Sequence, residues 1–139
     1  MADSEVPHFV GHTYSGNPLS TGVACPVIDV IEQQIGMGEI ADKGGYLGDL
    51  LRQQLLEPGF VVDVRGQGLL WAVETGLDRR QAGAFVETGH RLGINLYACR
   101  SAGASGEALA FLFSPPLKIA RSELANMVAL VKQVFTEAT

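Results

Sequence analysis

The segment whose residue types are best suited to binding a ligand runs from residue 11 to residue 20. It reads Gly-His-Thr-Tyr-Ser-Gly-Asn-Pro-Leu-Ser. Its glycines and hydroxyl-bearing residues predict a loop that is rich in hydrogen-bond donors and low in steric bulk. Pro18 suits the first turn of a helix, where its missing N–H costs no hydrogen bond. Backbone N–H groups and the helix dipole both favour an anion at a helix start. The segment therefore predicts a phosphate-binding loop that leads directly into a helix.

Two other pairs of residues invite a chemical interpretation. His8 and His12 are four residues apart, as in some metal sites. No third ligand lies near them in sequence, and Gly11 disfavours a helix there, so no metal site is predicted. Asp63 and Glu74 are a candidate pair of acid and base carboxylates. They are better interpreted as strand residues that face solvent or pair with nearby arginines.

The periodicity of apolar residues and the turn residues predict an α+β fold, a small sheet covered by helices on one face. We expect Pro26 to kink the first helix, and Asp78 to cap the third. Gly44 and Gly45 should each weaken the second helix by about 1 kcal/mol relative to alanine, unless close packing compensates. The first two strands should form a hairpin connected by residues 65–68. Helices are expected over residues 19–35, 39–56, 79–92 and 121–137, and strands over residues 60–64, 69–74, 94–98 and 108–113.

Composition limits the classes of function. The length of 139 residues fits one domain, and 47% hydrophobic with 18% charged residues is typical of a soluble globular protein. The net charge of -5, without a basic run, disfavours a nucleic-acid partner. The longest apolar run, near residues 108–113, is too short to cross a membrane. We expect no membrane partner.

The compartment is predicted by elimination. The first twenty residues lack the charged-then-apolar pattern of a secretory signal, so we expect a cytoplasmic protein. Cys25 and Cys99 are far apart and outside any Cys-x-x-Cys pair, and they are interpreted as reduced structural thiols. Two cysteines could in principle form one bridge.

The loop also resembles a segment of a known enzyme family. The stretch from His12 to Pro18, preceded by Gly11, is similar to the segment just after the catalytic lysine region of class III, or omega, aminotransferases. Those enzymes depend on pyridoxal phosphate. Each further motif is weak alone, but their order and spacing are specific, and the resemblance covers roughly residues 7–135. The further motifs are Ile-Asp-Val-Ile-Glu at residues 28–32, Val-Arg-Gly-Gln-Gly-Leu-Leu at 64–70 and Phe-Ser-Pro-Pro-Leu at 113–117.

This resemblance implies a particular part of a fold type I subunit. Residues 1–17 would be the interdomain and cofactor loop, and residues 18–139 the small carboxy-terminal domain with its leading linker helix. A larger domain would supply the lysine that attaches the cofactor and moves a proton. Lys43, Lys118 and Lys132 lie in no matching motif. The chain alone should therefore not transaminate, and it is interpreted as a fragment, a truncated gene product or half of a split enzyme.

Candidate site residues follow from the same resemblance. Thr13 matches the threonine whose hydroxyl donates to the cofactor phosphate across the dimer interface, a bond strengthened by the phosphate charge. Its alternative role is to cap a turn. His12 and Gly11 belong to the same cofactor-binding loop. Arg100, in the loop before the fourth strand, matches a mobile arginine that grips a substrate carboxylate in some members, with a solvated loop arginine as the alternative.

No residue of this chain is predicted to be catalytic. An arginine that other members carry just before their Phe-x-Pro-Pro motif is absent, since Ala110 and Leu112 flank Phe111.

The leading functional hypothesis is part of an enzyme that moves an amino group from an amine or omega-amino acid to a keto acid. The resemblance implies a homodimer or larger assembly for the full-length enzyme. The alternative is a non-catalytic truncated domain that serves only folding or subunit association. A third hypothesis is another chemistry of the family, such as an aminomutase or a decarboxylase.

Overall fold

The computed structural model describes residues 11–35, 37–56, 59–100 and 109–138. The chain divides into two compact units, Met1–Gln34 and Ile35–Thr139. The first unit contains helix α1, and a π-helical turn, Ile31–Ile35, follows it. The elements of the chain are α1 (Pro18–Val30), α2 (Met37–Leu55), β1 (Val61–Gln67), β2 (Leu70–Thr75), α3 (Arg79–Arg91), β3 (Tyr97–Arg100), β4 (Leu109–Phe113) and α4 (Arg121–Glu137).

The second unit is built on one antiparallel sheet with strand order β1-β2-β4-β3. Helices accompany the sheet without strict alternation, which confirms the predicted α+β class. The hairpin between β1 and β2 is tighter than predicted, because β1 continues to Gln67 and only Gly68 and Leu69 form the turn. Gly68 has φ 54°, a left-handed conformation that glycine adopts without a steric penalty. Arg65 therefore lies within a strand and not in the connection.

Three helices cover one face of the sheet. Phe111 of β4 stacks on Phe85 of α3, with ring centroids 6.0 Å apart, and it contacts Phe135 of α4 at 5.8 Å. Trp71 of β2 is buried against α2, and its indole N–H donates to the Gly68 carbonyl at 2.8 Å. These aromatic side chains bury large apolar areas and hold the helices on the sheet.

Close packing explains two glycines of α2, Gly44 and Gly48. A Cβ at Gly44 would overlap the backbone of Gly68, and a Cβ at Gly48 would overlap the ring of Trp71. A Cβ at Gly45 would meet no atom within 4 Å. Close packing can therefore offset the low helix propensity of glycine at Gly44, but not at Gly45.

The start of α3 follows its prediction, whereas β3 is shifted along the chain. Asp78 accepts a hydrogen bond from the Gln81 N–H at 2.8 Å, and the Gln81 side chain accepts one from the Asp78 N–H, which completes a capping box. Strand β3 was expected over residues 94–98 but begins at Tyr97. The Ile94 N–H instead bonds to the Gly89 carbonyl at 2.9 Å, so Ile94 belongs to the turn that follows α3.

Candidate functional site

Residues 12–17 form a compact turn in the first unit. The His12 N–H donates to Ser15 Oγ at 2.9 Å, and the Ser15 N–H donates to the His12 carbonyl at 2.9 Å. Gly16 has φ 73°, which lets the chain reverse before the helix. The Asn17 N–H closes a second turn to the Tyr14 carbonyl at 3.1 Å. Backbone atoms and the Ser15 hydroxyl thus hold this turn.

Asn17 caps α1, so the predicted helix after the loop is confirmed. Its Oδ1 accepts from the N–H groups of Leu19 and Ser20 at 3.0 and 3.2 Å, and Pro18 occupies the first helical position. The N–H groups of Leu19 and Ser20, which were expected to be available to an anion at the helix start, therefore donate to Asn17 instead. Side-chain donors of the preceding turn remain for a ligand.

Thr13 is one of three exposed hydroxyl residues of this turn, with Tyr14 and Ser15. Its neighbours Ser15 and Asn17 make the side-chain hydrogen bonds that hold the turn and the helix start. In the part of the chain that the structure describes, no hydrogen bond involves the Thr13 side chain. Gly11, His12 and Tyr14 are exposed beside it. Ser15, rather than Thr13, fills the turn-capping role that the sequence left open.

Arg100 differs from its expected placement. It is the last residue of β3, and its backbone pairs with Leu109 of β4, whereas the sequence predicted a loop. Strand β3 continues two residues beyond the predicted end at residue 98. The connection over residues 101–108, and His8 of the discarded metal pair, lie outside the described residues.

Arg65 joins the two carboxylates that the sequence singled out. Its guanidinium lies 2.8 Å from Asp63 Oδ2 and also forms an ion pair with Glu74. The side chain of Glu74 is 11% exposed and that of Asp63 is 50% exposed. Hydrogen bonds to Asp63 and then to Glu74 raise the pKa of Arg65 above its ordinary value, so the guanidinium stays charged. Pairing with an arginine, rather than acid–base chemistry, accounts for both carboxylates.

The lysines have separate positions in the second unit. Lys43 is buried in α2, where its Nζ lies 2.7 Å from Glu39 Oε1 and donates to the Leu117 carbonyl at 3.4 Å. Lys118 and Lys132 are exposed. The Lys43 amine is therefore held by partners of its own chain.

The described residues show neither a metal cluster nor a membrane-spanning helix. They contain no group of three or more His, Cys, Asp or Glu side chains that could hold a metal ion. None of the helices described is both long and apolar enough to span a bilayer.

Comparisons with known proteins place these features in a family. The profile of the family described as aminotransferase class-III matches residues 2–135. Ornithine aminotransferase of Staphylococcus carnosus is 30% identical over an alignment of 143 positions. The alignment covers 97% of this chain and 32% of that protein. Adenosylmethionine-8-amino-7-oxononanoate aminotransferase of Geobacter sulfurreducens is 33% identical over 134 residues, which cover 92% of this chain and 29% of that protein.

The fold is shared as well. An amine transaminase from an uncultivated Pseudomonas species, solved in a form bound to pyridoxal phosphate, superposes with a TM-score of 0.72 at 25% identity. The match covers 96% of this chain and 30% of that one. The chain thus spans about three tenths of the length of such relatives, and it belongs to the class III aminotransferase family.

Proposed function

We propose that this chain supplies the phosphate-binding loop and the small domain of a pyridoxal-phosphate-dependent aminotransferase. The complete enzyme transfers an amino group between an amine or omega-amino acid and a keto acid. Residues 1–17 are its interdomain and cofactor loop, and residues 18–139 are its small domain with the linker helix. The 139-residue chain alone does not catalyse the transfer.

The observation that carries this proposal is the exposed Thr13 hydroxyl on a turn held by other groups. Since Ser15 and Asn17 supply the local hydrogen bonds, the turn keeps its shape while Thr13 donates to a phosphate. A preorganised donor pays little conformational entropy on binding. Exposed Gly11 and His12 allow the phosphate to approach the turn closely.

The residues of this chain fit one end of pyridoxal phosphate. Thr13, with His12 and Gly11 beside it, would hold the phosphate. The cofactor, when bound, supplies an electron sink for the carbon that carries the amino group. Covalent attachment needs a lysine amine with no competing partner, and Lys43 is buried against Glu39. Lys118 and Lys132 are exposed and lie in no motif that matches the lysine of the family, so we assign the attachment to a larger domain of the enzyme.

Arg100 is assigned to the carboxylate of the substrate. Its backbone lies at the end of the paired strand β3. A guanidinium binds a carboxylate through two parallel hydrogen bonds, so one arginine orients an acid substrate. The amino donor, the acceptor and the cytoplasmic location remain predictions.

Helix α1 is assigned to the contact with the larger domain and a second subunit. It carries exposed apolar side chains, and none of its residues is buried. An exposed stripe of this kind is typical of a surface that a partner covers.

Fusion to a lysine-bearing domain tests the proposal. The chain is joined to the amino-terminal large domain of a class III relative, and amino transfer from an omega-amino acid to a keto acid is measured. We expect the fusion to transfer the amino group and the chain alone to be inactive. A folded fusion that retains pyridoxal phosphate without any transfer would favour the non-catalytic alternative.

A further inference from the structure

A cavity of about 310 Å³ lies between helix α3 and the β3 and β4 strands, in the second unit. Its volume is at the lower end of the range for small-molecule sites. Its lining includes apolar side chains, one cation and one cysteine residue. The lining residues are Arg79, Ala82, Gly83, Val86, Ala98, Cys99 and Leu109.

The wall on the side of α3 has room for a ligand. Gly83 lines the cavity, and a Cβ built on it would meet no atom within 4 Å. Ala82 and Val86 flank it on the same helix, and Leu109 faces it from β4. Contact with these groups removes apolar surface from water, which favours a ligand with a short hydrocarbon body.

Arg79 supplies the polar end of the cavity. It is the first residue of α3, and it is exposed. No ion-pair partner of Arg79 is found among the described residues, whereas Arg52, Arg65 and Arg91 each pair with a carboxylate. A guanidinium without a protein carboxylate recognises an organic carboxylate through two hydrogen bonds.

We propose that this cavity binds a small monocarboxylate with a short apolar body, its carboxylate paired with Arg79. The apolar body lies against Ala82, Val86 and Leu109. Ala98 of β3 lies opposite Phe111 in the sheet, on the face covered by α3, and completes the far wall of the cavity. All the lining residues belong to the second unit, and this binding is independent of the proposed enzymatic function.

Titration of the full chain with hexanoate tests the proposal. We expect hexanoate to shift the amide resonances of residues lining the cavity in ¹H–¹⁵N spectra at constant ionic strength. Hexylamine should not do so, because its charge repels Arg79. Arg79→Gln should weaken hexanoate binding about fivefold, which corresponds to about 1 kcal/mol and reflects an ion pair partly screened by water. Arg80→Gln is the matched control, because Arg80 is the next residue of α3, is exposed and does not line the cavity; binding should be unchanged.

A second variant separates binding in the cavity from attraction to the surface. Gly83→Val places a side chain in the open space and should abolish the shifts while the chain stays folded by circular dichroism. Equal binding by Arg79→Gln and Arg80→Gln, or unchanged binding by Gly83→Val, would overturn the proposal.

Discussion

Gly44 of α2 lies against Gly68 of the β1–β2 turn so closely that a Cβ on Gly44 would overlap the Gly68 backbone. The contact sets the distance at which the helix crosses the hairpin. The adjacent Gly45 faces open space in the same helix. Two neighbouring glycines thus have opposite structural roles, which only their packing reveals.

Gly44→Ala should destabilise the chain, while Gly45→Ala should stabilise it. Overlap at residue 44 forces the helix away from the turn and costs about 1–3 kcal/mol. Alanine at residue 45 adds helix propensity without a clash and contributes about 1 kcal/mol. Urea denaturation of both variants measures the difference. If Gly44→Ala is as stable as Gly45→Ala, the tight contact between Gly44 and Gly68 does not exist.

Glu74→Gln should reduce stability more than Asp63→Asn does. Both carboxylates pair with Arg65, but Glu74 is the buried partner and Asp63 is half exposed. Loss of a largely buried charged hydrogen bond costs about 1–2 kcal/mol, whereas an exposed pair contributes less than about 1 kcal/mol. The free energy of unfolding of each variant is measured in urea. Equal losses would show that burial does not decide the strength of these two pairs.

Local signals predicted the fold well where neighbouring residues alone determine the structure. Asp78 and Gln81 form the box that caps α3, and Pro18 follows the helix cap Asn17. The hairpin formed as predicted, but its turn was expected over residues 65–68 and comprises only Gly68 and Leu69. Gly66 instead lies in β1 directly opposite Trp71 of β2, where a Cβ would overlap Trp71.

The cavity carried no sequence signal. Arg79 and Cys99 are twenty positions apart, and only the packing of α3 beside β3 brings them to one space. Thr13 was identified because the loop that contains it resembles a loop of the family. The assignment of Thr13 to the phosphate stays a prediction.

The isolated chain should show no transaminase activity, and borohydride should trap no pyridoxal phosphate on one specific lysine near neutral pH. Lys43 is engaged by Glu39 and the Leu117 carbonyl, and Lys118 and Lys132 lie on exposed surface. Mass spectrometry after reduction locates any label, and scattered low labelling is the expected background. Stoichiometric labelling of a single lysine would contradict the prediction.

The isolated chain should self-associate through α1. Leu19, Val23, Val27 and Val30 are exposed and recur at helical spacing, so they form one apolar stripe. Light scattering at high concentration should detect oligomers that the double substitution of Val23 and Val27 by Gln disperses. Ser20→Gln, on the same helix, is the control and should leave them intact. A monomeric parent chain that binds no hydrophobic dye would count against a partner-covered α1.

In a reconstituted full-length enzyme, Thr13→Ala should weaken retention of pyridoxal phosphate more than it slows amino transfer. The lost interaction is one hydroxyl donor to a charged phosphate, worth roughly 1.5–3 kcal/mol. This predicts about a ten- to hundredfold weaker cofactor affinity. Because Ser15 and Asn17 hold the turn, its shape should survive the substitution.

Thr13→Ser separates donation from packing. The serine keeps the hydroxyl and loses only a methyl group, so it should retain most of the cofactor affinity. Equilibrium dialysis of the three proteins gives the dissociation constants, and activity at saturating cofactor reports the chemical step. If Thr13→Ser loses as much affinity as Thr13→Ala, the methyl group rather than the hydroxyl matters, and the assignment of Thr13 to the phosphate fails.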